Sequence, residues 1–118
     1  MAKRLFFLFL FSLFLKGSYA QAPKDNFTHY TELDGLPSNQ VFEIYQDRFG
    51  FIWAGTLNGL TRYDGYEFHN YFQDIQDPNS LLIDVVTSIF EDSDNELWVG
   101  GIGMISKYNR DEDNFTNY

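Results

Sequence analysis

The sequence predicts an all-β protein built from a repeated four-stranded unit. The 118 residues contain two Trp, and a shift of the chain by 45 positions superimposes Trp53 on Trp98. The same shift also pairs identical residues at positions that include Val41/Val86, Ile44/Ile89, Asp47/Asp92, Gly55/Gly100 and Tyr63/Tyr108. Helical periodicity is absent, and Gly and Asn interrupt every candidate helical window. A fixed period of this length indicates one supersecondary unit per repeat.

The first unit is predicted to contain four short strands joined by turns. The strands are expected over 40–46, 51–56, 60–63 and 66–71. Gly50 lies where the first turn needs a left-handed backbone, and Asn95 takes that place in the second unit. Asn58-Gly59 is a strong two-residue hairpin signal, and Asp64-Gly65 makes the third turn. Four such strands need roughly 40–45 residues, which is the observed period.

The second unit follows the same pattern after a two-residue insertion. The ending Phe68-His69-Asn70-Tyr71 aligns with Phe115-Thr116-Asn117-Tyr118, and a similar ending occurs earlier as Phe27-Thr28-His29-Tyr30. Gly103-Met104 replaces Asn58-Gly59, so we expect the central hairpin of the second unit to be built differently. The predicted boundaries are about 35–71 for repeat 1, about 79–118 for repeat 2, and one extra N-terminal strand over 26–30.

Apolar residues lie on both faces of the predicted strands, as at Val85-Val86 and Ile89-Phe90. A sheet packed between two similar sheets needs this pattern, whereas a sheet covered on one side does not. Radially stacked four-stranded sheets of this size are the blades of a β-propeller, which closes with roughly 4–8 blades. The prediction is therefore an incomplete propeller, in which Trp53 and Trp98 pack between blades. Residues 26–30 are expected to complete the last blade of a longer ring, and without it apolar faces and strand edges are exposed.

The N-terminus has the features of a secretory signal peptide. Met1 to Arg4 is a basic start, and the apolar run from Leu5 to Leu15 is short for a membrane span of roughly 20 residues. Ser18 and Ala20 are the small residues at the −3 and −1 positions of a cut after Ala20. The predicted organisation is thus a signal peptide over 1–20 and a partial β-propeller over 21–118, which is exported to the periplasm.

The composition excludes several functional classes. With 17 Asp+Glu against 8 Lys+Arg, the formal charge is −9. This acidity argues against a nucleic acid partner, because phosphate binding needs clustered Lys and Arg. The chain has no Cys, so it has no disulfide, thiolate metal site or cysteine nucleophile.

Four stretches of the first unit resemble the two-component regulator propeller repeat: Gly35-Leu36-Pro37-Ser38-Asn39, Ile44-Tyr45-Gln46-Asp47, 50–56 (GFIWAGT) and 58–64 (NGLTRYD). The second unit resembles the same repeat in a more diverged form, so the resemblance covers about residues 26–118. It implies the periplasmic, N-terminal sensor region of hybrid two-component histidine kinases. In Bacteroidetes many such sensors respond to glycan fragments.

The resemblance implies binding rather than catalysis. The expected function is that of an N-terminal fragment of the ligand-sensing propeller of a two-component receptor, responsive to glycans. The expected partners are the remaining propeller blades of the parent chain and an oligosaccharide, and the parent is expected to be a membrane-anchored homodimer. A free-standing secreted carbohydrate- or protein-binding propeller without a kinase is the alternative. A propeller lyase or hydrolase with its site in other blades is a third possibility.

No catalytic, cofactor or metal residue is assigned, because the repeat explains each tempting motif. His29 and His69 are not followed by an acidic residue, as a phospho-acceptor would be, and are expected to be strand residues. Gly100 to Gly103 resembles an ATP lid, but Gly100 is the repeat mate of Gly55. The ligand-binding residues stay open, and the loops Thr31 to Asn39 and Gln73 to Asp84 are the expected region because they differ between units.

Two acidic segments are also expected to be solvated turns. Asp92 to Glu96 resembles the start of a Ca²⁺ loop, but Leu97 stands where such a loop has Gly, and Gly103 where it has Glu. Asp111-Glu112-Asp113 is expected to lengthen the last hairpin. A pair of these carboxylates would suit glycoside hydrolysis only at a defined separation, which the sequence does not supply.

Overall fold

The computed structural model describes residues 26–118, so the predicted signal peptide lies outside the described residues. These residues form two four-stranded antiparallel sheets, each with its strands in chain order. Blade 1 comprises β1 (Val41–Gln46), β2 (Ile52–Thr56), β3 (Gly59–Tyr63) and β4 (Phe68–Tyr71). Blade 2 comprises β5 (Ser88–Glu91), β6 (Leu97–Gly101), β7 (Met104–Asn109) and β8 (Asn114–Asn117). The predicted all-β class and the two blades of an incomplete propeller are confirmed.

The turns follow the predicted chemistry, with one shift. Gly50 (φ 89°) and Asn95 (φ 61°) occupy the left-handed region at equivalent turns. In blade 1 the two-residue loop is Leu57 and Asn58, and Gly59 (φ 113°) opens β3 opposite Thr56. The predicted Asn58-Gly59 loop was therefore wrong by one residue, because the positive φ is needed where the chain enters β3. In the second hairpin the positive φ falls at Gly103 (φ 75°), within the loop, so the two hairpins do differ.

Residues 26–30 pair with no strand in the described part of the chain. Their pairing with the last blade of a ring stays a prediction, because residues 26–118 contain no third sheet. His29 is accordingly not in a strand here, whereas His69 lies in β4. A 3₁₀ turn follows at Glu32–Asp34.

Each blade has two faces, because successive side chains of a strand point to opposite sides of the sheet. In blade 1, face A carries Tyr45, Trp53, Gly55, Leu60, Arg62, His69 and Tyr71. In blade 2, face B carries Ile89, Leu97, Val99, Ser106, Tyr108, Phe115 and Asn117. Face A of blade 1 packs on face B of blade 2, and we call this contact the seam.

The seam contains the core of the molecule. The Trp53 ring meets the Tyr108 ring edge-on at 4.9 Å between centroids, and Tyr71 meets Phe115 edge-on at 5.3 Å. Trp53 is fully buried, as predicted for a residue between blades. Gly55 allows the close approach, because a Cβ at this position would lie 2.6 Å from the carbonyl oxygen of Val86. Aromatic and aliphatic burial of this kind is the main stabilising contribution.

An asparagine in the fourth strand fastens each blade to the segment that leads into it. Asn70 Nδ2 donates to the Gly35 carbonyl at 2.8 Å, and Asn117 Nδ2 donates to the Ser80 carbonyl at 2.9 Å. Gly35 and Ser80 are themselves 45 residues apart. The same side-chain device therefore fixes the entry to both repeats.

Candidate functional site at the seam

An Asp–Trp pair organises the first turn of both blades. Asp47 Oδ2 accepts a hydrogen bond from Trp53 Nε1 at 2.8 Å, and Asp92 Oδ2 accepts one from Trp98 Nε1 at the same distance. The other oxygen of each carboxylate accepts two backbone N–H groups of its own turn. The segment is a turn in which Ser93, Asp94 and Asn95 are exposed, as predicted, and Asp92 is in addition the acceptor that holds this turn together.

Arg110 joins the two blades through a second use of Asp47. Its guanidinium donates to Asp47 Oδ2 at 3.0 Å and to Glu91 Oε2 at 3.4 Å, and it lies 4.6 Å from the centre of the Phe49 ring. Burial opposes ionisation of Asp47, but hydrogen bonds from Trp53 and Arg110 outweigh it and lower the pKa of this carboxyl group. We call Arg110, Asp47 and Glu91 the Arg110 clamp.

A second polar group crosses the seam around Asp113, in the turn before β8. Tyr71 Oη and Tyr108 Oη both donate to Asp113 Oδ1 at 2.6 Å, and His69 Nε2 lies 3.2 Å from Oδ2. Partial burial opposes ionisation of Asp113, but the two tyrosine hydroxyls outweigh it and lower the pKa of the carboxyl group. Its φ of 53° is left-handed, so the turn holds this side chain against the seam in a conformation that few non-glycine residues adopt. Asp113 lies in an exposed turn that lengthens the last hairpin, as predicted, and in addition accepts hydrogen bonds from both blades, which the sequence did not predict.

These polar contacts depend on residues that break the repeat. Arg110 takes the place of Gly65, and Asp113 follows the two-residue insertion in the β7–β8 turn. Sequence reasoning missed both residues, since it treated the insertion as a longer turn. The insertion was the feature of the sequence that could have indicated these residues, because residues outside the repeat pattern are not required for the fold of the repeated unit.

A polar groove of about 300 Å³ lies beside the Asp113 cluster. It runs between β4, the connecting segment between the blades, and the start of β8. Its lining includes Asn70, Phe72, Asp74, Asn79, Asp113 and Asn114. Carboxylate oxygens, amide groups and the half-exposed Phe72 ring supply acceptors, donors and a flat apolar surface, which together suit a polyhydroxylated ligand.

A larger depression, of about 650 Å³, carries less weight as a ligand site. It lies over Glu96 and Lys107, whose charged groups are 3.2 Å apart. Lys107 stands on the face of blade 2 that corresponds to face A of blade 1. In blade 1 that face is covered by the neighbouring sheet, so the part of the depression around Lys107 corresponds to a surface that packs against a sheet in the first repeat.

The two predicted loops differ in their relation to the groove. The loop over 73–84 supplies Asp74, Asp77 and Asn79 to its lining. The loop over 31–39 does not line the groove. Its two ends are joined by a pair of hydrogen bonds between Glu32 and Asn39. Glu32 N donates to Asn39 Oδ1, and Asn39 N donates to Glu32 Oε1, both at 2.9 Å.

Within residues 26–118, no three or more acidic, His or Cys side chains are grouped so that they would hold a metal ion. Gly100 lies inside β6, as the repeat predicted, and His69 contacts Asp113 from β4. In this part of the chain, none of the helical segments has the length and hydropathy that a bilayer crossing requires.

Two segments, residues 35–58 and 80–103, match the family described as two component regulator propeller. Each match covers the entry to a blade and its first two strands. Over 76 residues the chain is 36% identical to a protein named Histidine kinase P4 from Formosa agariphila, a match that spans 64% of this chain and 6% of that protein. A solved structure, the extracellular domain of a protein described as a hybrid two component system from B. thetaiotaomicron, matches 77% of this chain and 20% of that one, at 23% identity and a TM-score of 0.40.

Proposed function

Because the chain carries two repeats of the two-component regulator propeller family, we propose that it is part of the ligand-sensing propeller of a two-component receptor. One observation carries the proposal: the two family matches fall on two blades that pack face to face. The name of the Formosa relative supports a histidine kinase as the output of the whole receptor. The part described here binds, and the catalytic step belongs to the parent chain.

The location proposed is the periplasm, and the sequence of residues 1–20 supports it. The test is a β-lactamase fusion after Tyr118, which confers ampicillin resistance only if the enzyme is exported. We expect resistance for the natural sequence and its loss for the Phe9→Arg variant, because a charge interrupts the short apolar run. N-terminal sequencing of the exported product should begin at Gln21.

A matched control separates failed export from failed folding. Ile75→Arg makes a similar apolar-to-charged change at a side chain that is 92% exposed, in the segment between the blades. This variant should keep resistance. Unchanged resistance for Phe9→Arg would contradict the assignment of residues 1–20 as a signal peptide.

The ligand class proposed is an oligosaccharide, bound at the groove beside Asp113. The half-exposed ring of Phe72 offers stacking, and the amides of Asn79 and Asn114 offer hydrogen bonds to hydroxyl groups. The test is a thermal-shift screen of the exported chain against neutral and acidic oligosaccharides. A binding sugar should raise the Tm of the natural chain and of Ile75→Ala, but not of Phe72→Ala. A sugar that stabilises all three proteins equally would place the binding site elsewhere.

The parent proposed is a membrane-anchored homodimer, in which the ligand shifts the balance between two signalling states. The remaining blades of that chain are the proposed partners of this part. A free-standing secreted propeller without a kinase is the competing function. Sequencing the gene beyond codon 118 decides between them, because a membrane helix and kinase motifs support the receptor, whereas a stop after several more blades supports the free-standing protein.

A further inference from the structure

The groove beside Asp113 has acidic side chains in its lining and no basic ones among the described residues. Three carboxylates line it, those of Asp74, Asp77 and Asp113, and no Lys or Arg of residues 26–118 does. Its walls come from blade 1, from blade 2 and from the segment that joins them. The groove therefore lies between two blades that are both present in the described part of the chain.

Asp113 is the compensated carboxylate of the three. Arg62 Nη1 lies 3.7 Å from Asp113 Oδ1, and His69 Nε2 lies 3.2 Å from Oδ2. Two tyrosine hydroxyls also donate to Oδ1. Both oxygens of this group thus have partners within the protein, and a neighbouring guanidinium offsets its charge.

Asp74 and Asp77 have no such compensation within the described residues. No ion pair between residues 26 and 118 includes either of them. Each uses Oδ1 to accept one backbone N–H of its own turn, from Gln76 and Asn79 respectively, both at 2.9 Å. In the same part of the chain, Oδ2 of each carboxylate accepts no hydrogen bond. The charge that a ligand meets in the groove is therefore that of these two groups.

The turn that carries the two carboxylates is fixed by several hydrogen bonds. Asp77 N donates to the Asp74 carbonyl at 3.0 Å, and Ser80 N donates to the Asp77 carbonyl at 3.1 Å. Ser80 Oγ accepts from Asp74 N and donates to the Asp74 carbonyl, both at 2.9 Å. Asn117 ties the same turn to blade 2 through the Ser80 carbonyl. Asp74 and Asp77 are thus held beside the groove before any ligand binds.

The remaining polar groups of the lining are uncharged. They include the amides of Asn70, Asn79 and Asn114, next to the half-exposed ring of Phe72. An uncharged sugar can donate hydroxyl hydrogens to the free carboxylate oxygens and to the amide oxygens. A carboxylate or sulfate group of a ligand would instead have like charges beside it, and like charges disfavour a partner.

We propose that Asp74 and Asp77 are specificity-determining residues, through which the groove accepts uncharged oligosaccharides and disfavours those that carry carboxylate or sulfate groups. This inference rests on the proposed function, because it concerns the ligand of the same groove. Both side chains are exposed, so salt screens their effect. Repulsion by two exposed charges should weaken the binding of an acidic sugar about fivefold to tenfold at low salt.

Pairs of sugars that differ only in charge test the proposal. One pair is tetragalacturonate as the free acid and as its full methyl ester, which share ring and linkage. The other is a sulfated carrageenan tetrasaccharide and its desulfated form. Isothermal titration calorimetry of the exported chain gives the Kd of each sugar, at low salt and at about 1 M NaCl, where the Debye length is about 3 Å.

The variant Asp74→Asn/Asp77→Asn removes both charges and keeps the Oδ1 acceptors that hold the turn. We expect the natural chain to bind the uncharged member of a pair about fivefold to tenfold more tightly at low salt. This preference should disappear in the double variant and at high salt. The control Asp94→Asn/Asp111→Asn removes the same charge from two exposed turn residues outside the groove lining and should keep the preference.

The outcomes separate this inference from the proposed function. Equal affinity for both members of a pair, or tighter binding of the acidic one, would overturn the inference and leave sugar binding in place. A double variant that keeps the preference would do the same, since the two carboxylates would not be its cause. If no sugar binds, the proposed function fails and this inference fails with it. If the double variant does not fold, Asp77→Asn alone should lose part of the preference, and an undiminished preference would contradict the proposal.

Discussion

Asp47 and Asp92 occupy equivalent positions in the two repeats but differ in their contacts. Asp92 stabilises only the turn of its own blade, whereas Asp47 stabilises its turn and also contacts the other blade across the seam. Both carboxylates accept the indole N–H of the Trp six positions later, at 2.8 Å. Of the two, only Asp47 also accepts a hydrogen bond from Arg110 of the neighbouring blade. The pair is thus a natural internal comparison between holding a turn and holding two blades together.

Asp47→Asn should destabilise the protein more than Asp92→Asn. Both changes remove a charge beside a Trp N–H, but only the first also removes one of the two carboxylates that Arg110 contacts, the fully buried one. A hydrogen bond to a charged group contributes about 1.5–3 kcal/mol, so the difference between the two free energies of unfolding should be of that order. Urea unfolding measures it, and equal losses would show that the Arg110 clamp adds nothing to stability.

The pKa directions of Asp47 and Asp113 predict acid sensitivity of the seam. Both carboxyl groups have a pKa below the ordinary value of 3.8 in the folded protein. Their contribution to stability is therefore complete above that value and is lost as pH falls through the lower, folded pKa. The Tm should fall steeply below about pH 4, and Asp113→Asn should flatten that part of the profile. A profile unchanged by Asp113→Asn would show that this carboxylate does not contribute.

Strand positions could be predicted because local chemistry determines them. Gly50 and Asn95 mark equivalent turns, and all four predicted strands of blade 1 lie within two residues of the observed bounds. The hairpin at Asn58-Gly59 was placed one residue too late, because the sequence does not show whether a positive φ falls in the loop or at the first residue of the next strand. The position of this loop depends on the register in which β2 and β3 pair along their full length.

The candidate site could not be predicted in the same way. Arg110 and Asp113 meet Asp47 and Tyr71 over sequence separations of 63 and 42 residues. Such contacts depend on how one sheet lies on another, and a repeat pattern describes only what the sheets share. The groove likewise forms from the connecting segment, which differs between the units.

The glycines of the second strand give a prediction for sheet packing. A Cβ at Gly55 would lie 2.6 Å from the Val86 carbonyl oxygen, across the seam, whereas one at Gly100 would meet the Ser88 hydroxyl of its own blade. Gly55→Ala should therefore cost about 1–3 kcal/mol through overpacking, and Gly100→Ala less, because Ser88 can rotate. Chemical denaturation of both variants checks the order. A larger loss for Gly100→Ala would contradict the seam geometry.

At the scale of the whole molecule, the two blades are expected to unfold together. Repeat units are stabilised by contacts with their neighbours, and Trp53 touches both Tyr71 of blade 1 and Tyr108 of blade 2. In the Trp98→Phe variant, the emission of Trp53 should change at the same urea concentration as the far-ultraviolet circular dichroism. An earlier change in emission would show that the blades part before their sheets unfold.

The position of Tyr30 bears on how such a chain grows. Tyr30 packs on Phe68 of blade 1 as Tyr71 packs on Phe115 of blade 2. Each sheet therefore packs against a tyrosine that precedes it in the sequence, so one sequence repeat contributes to two packing surfaces. A gene duplication of one 45-residue period therefore adds one sheet and one complete packing surface, wherever within the period the copied segment begins. Lengthening by whole periods therefore gives each added sheet the two complementary faces through which blades 1 and 2 pack on each other.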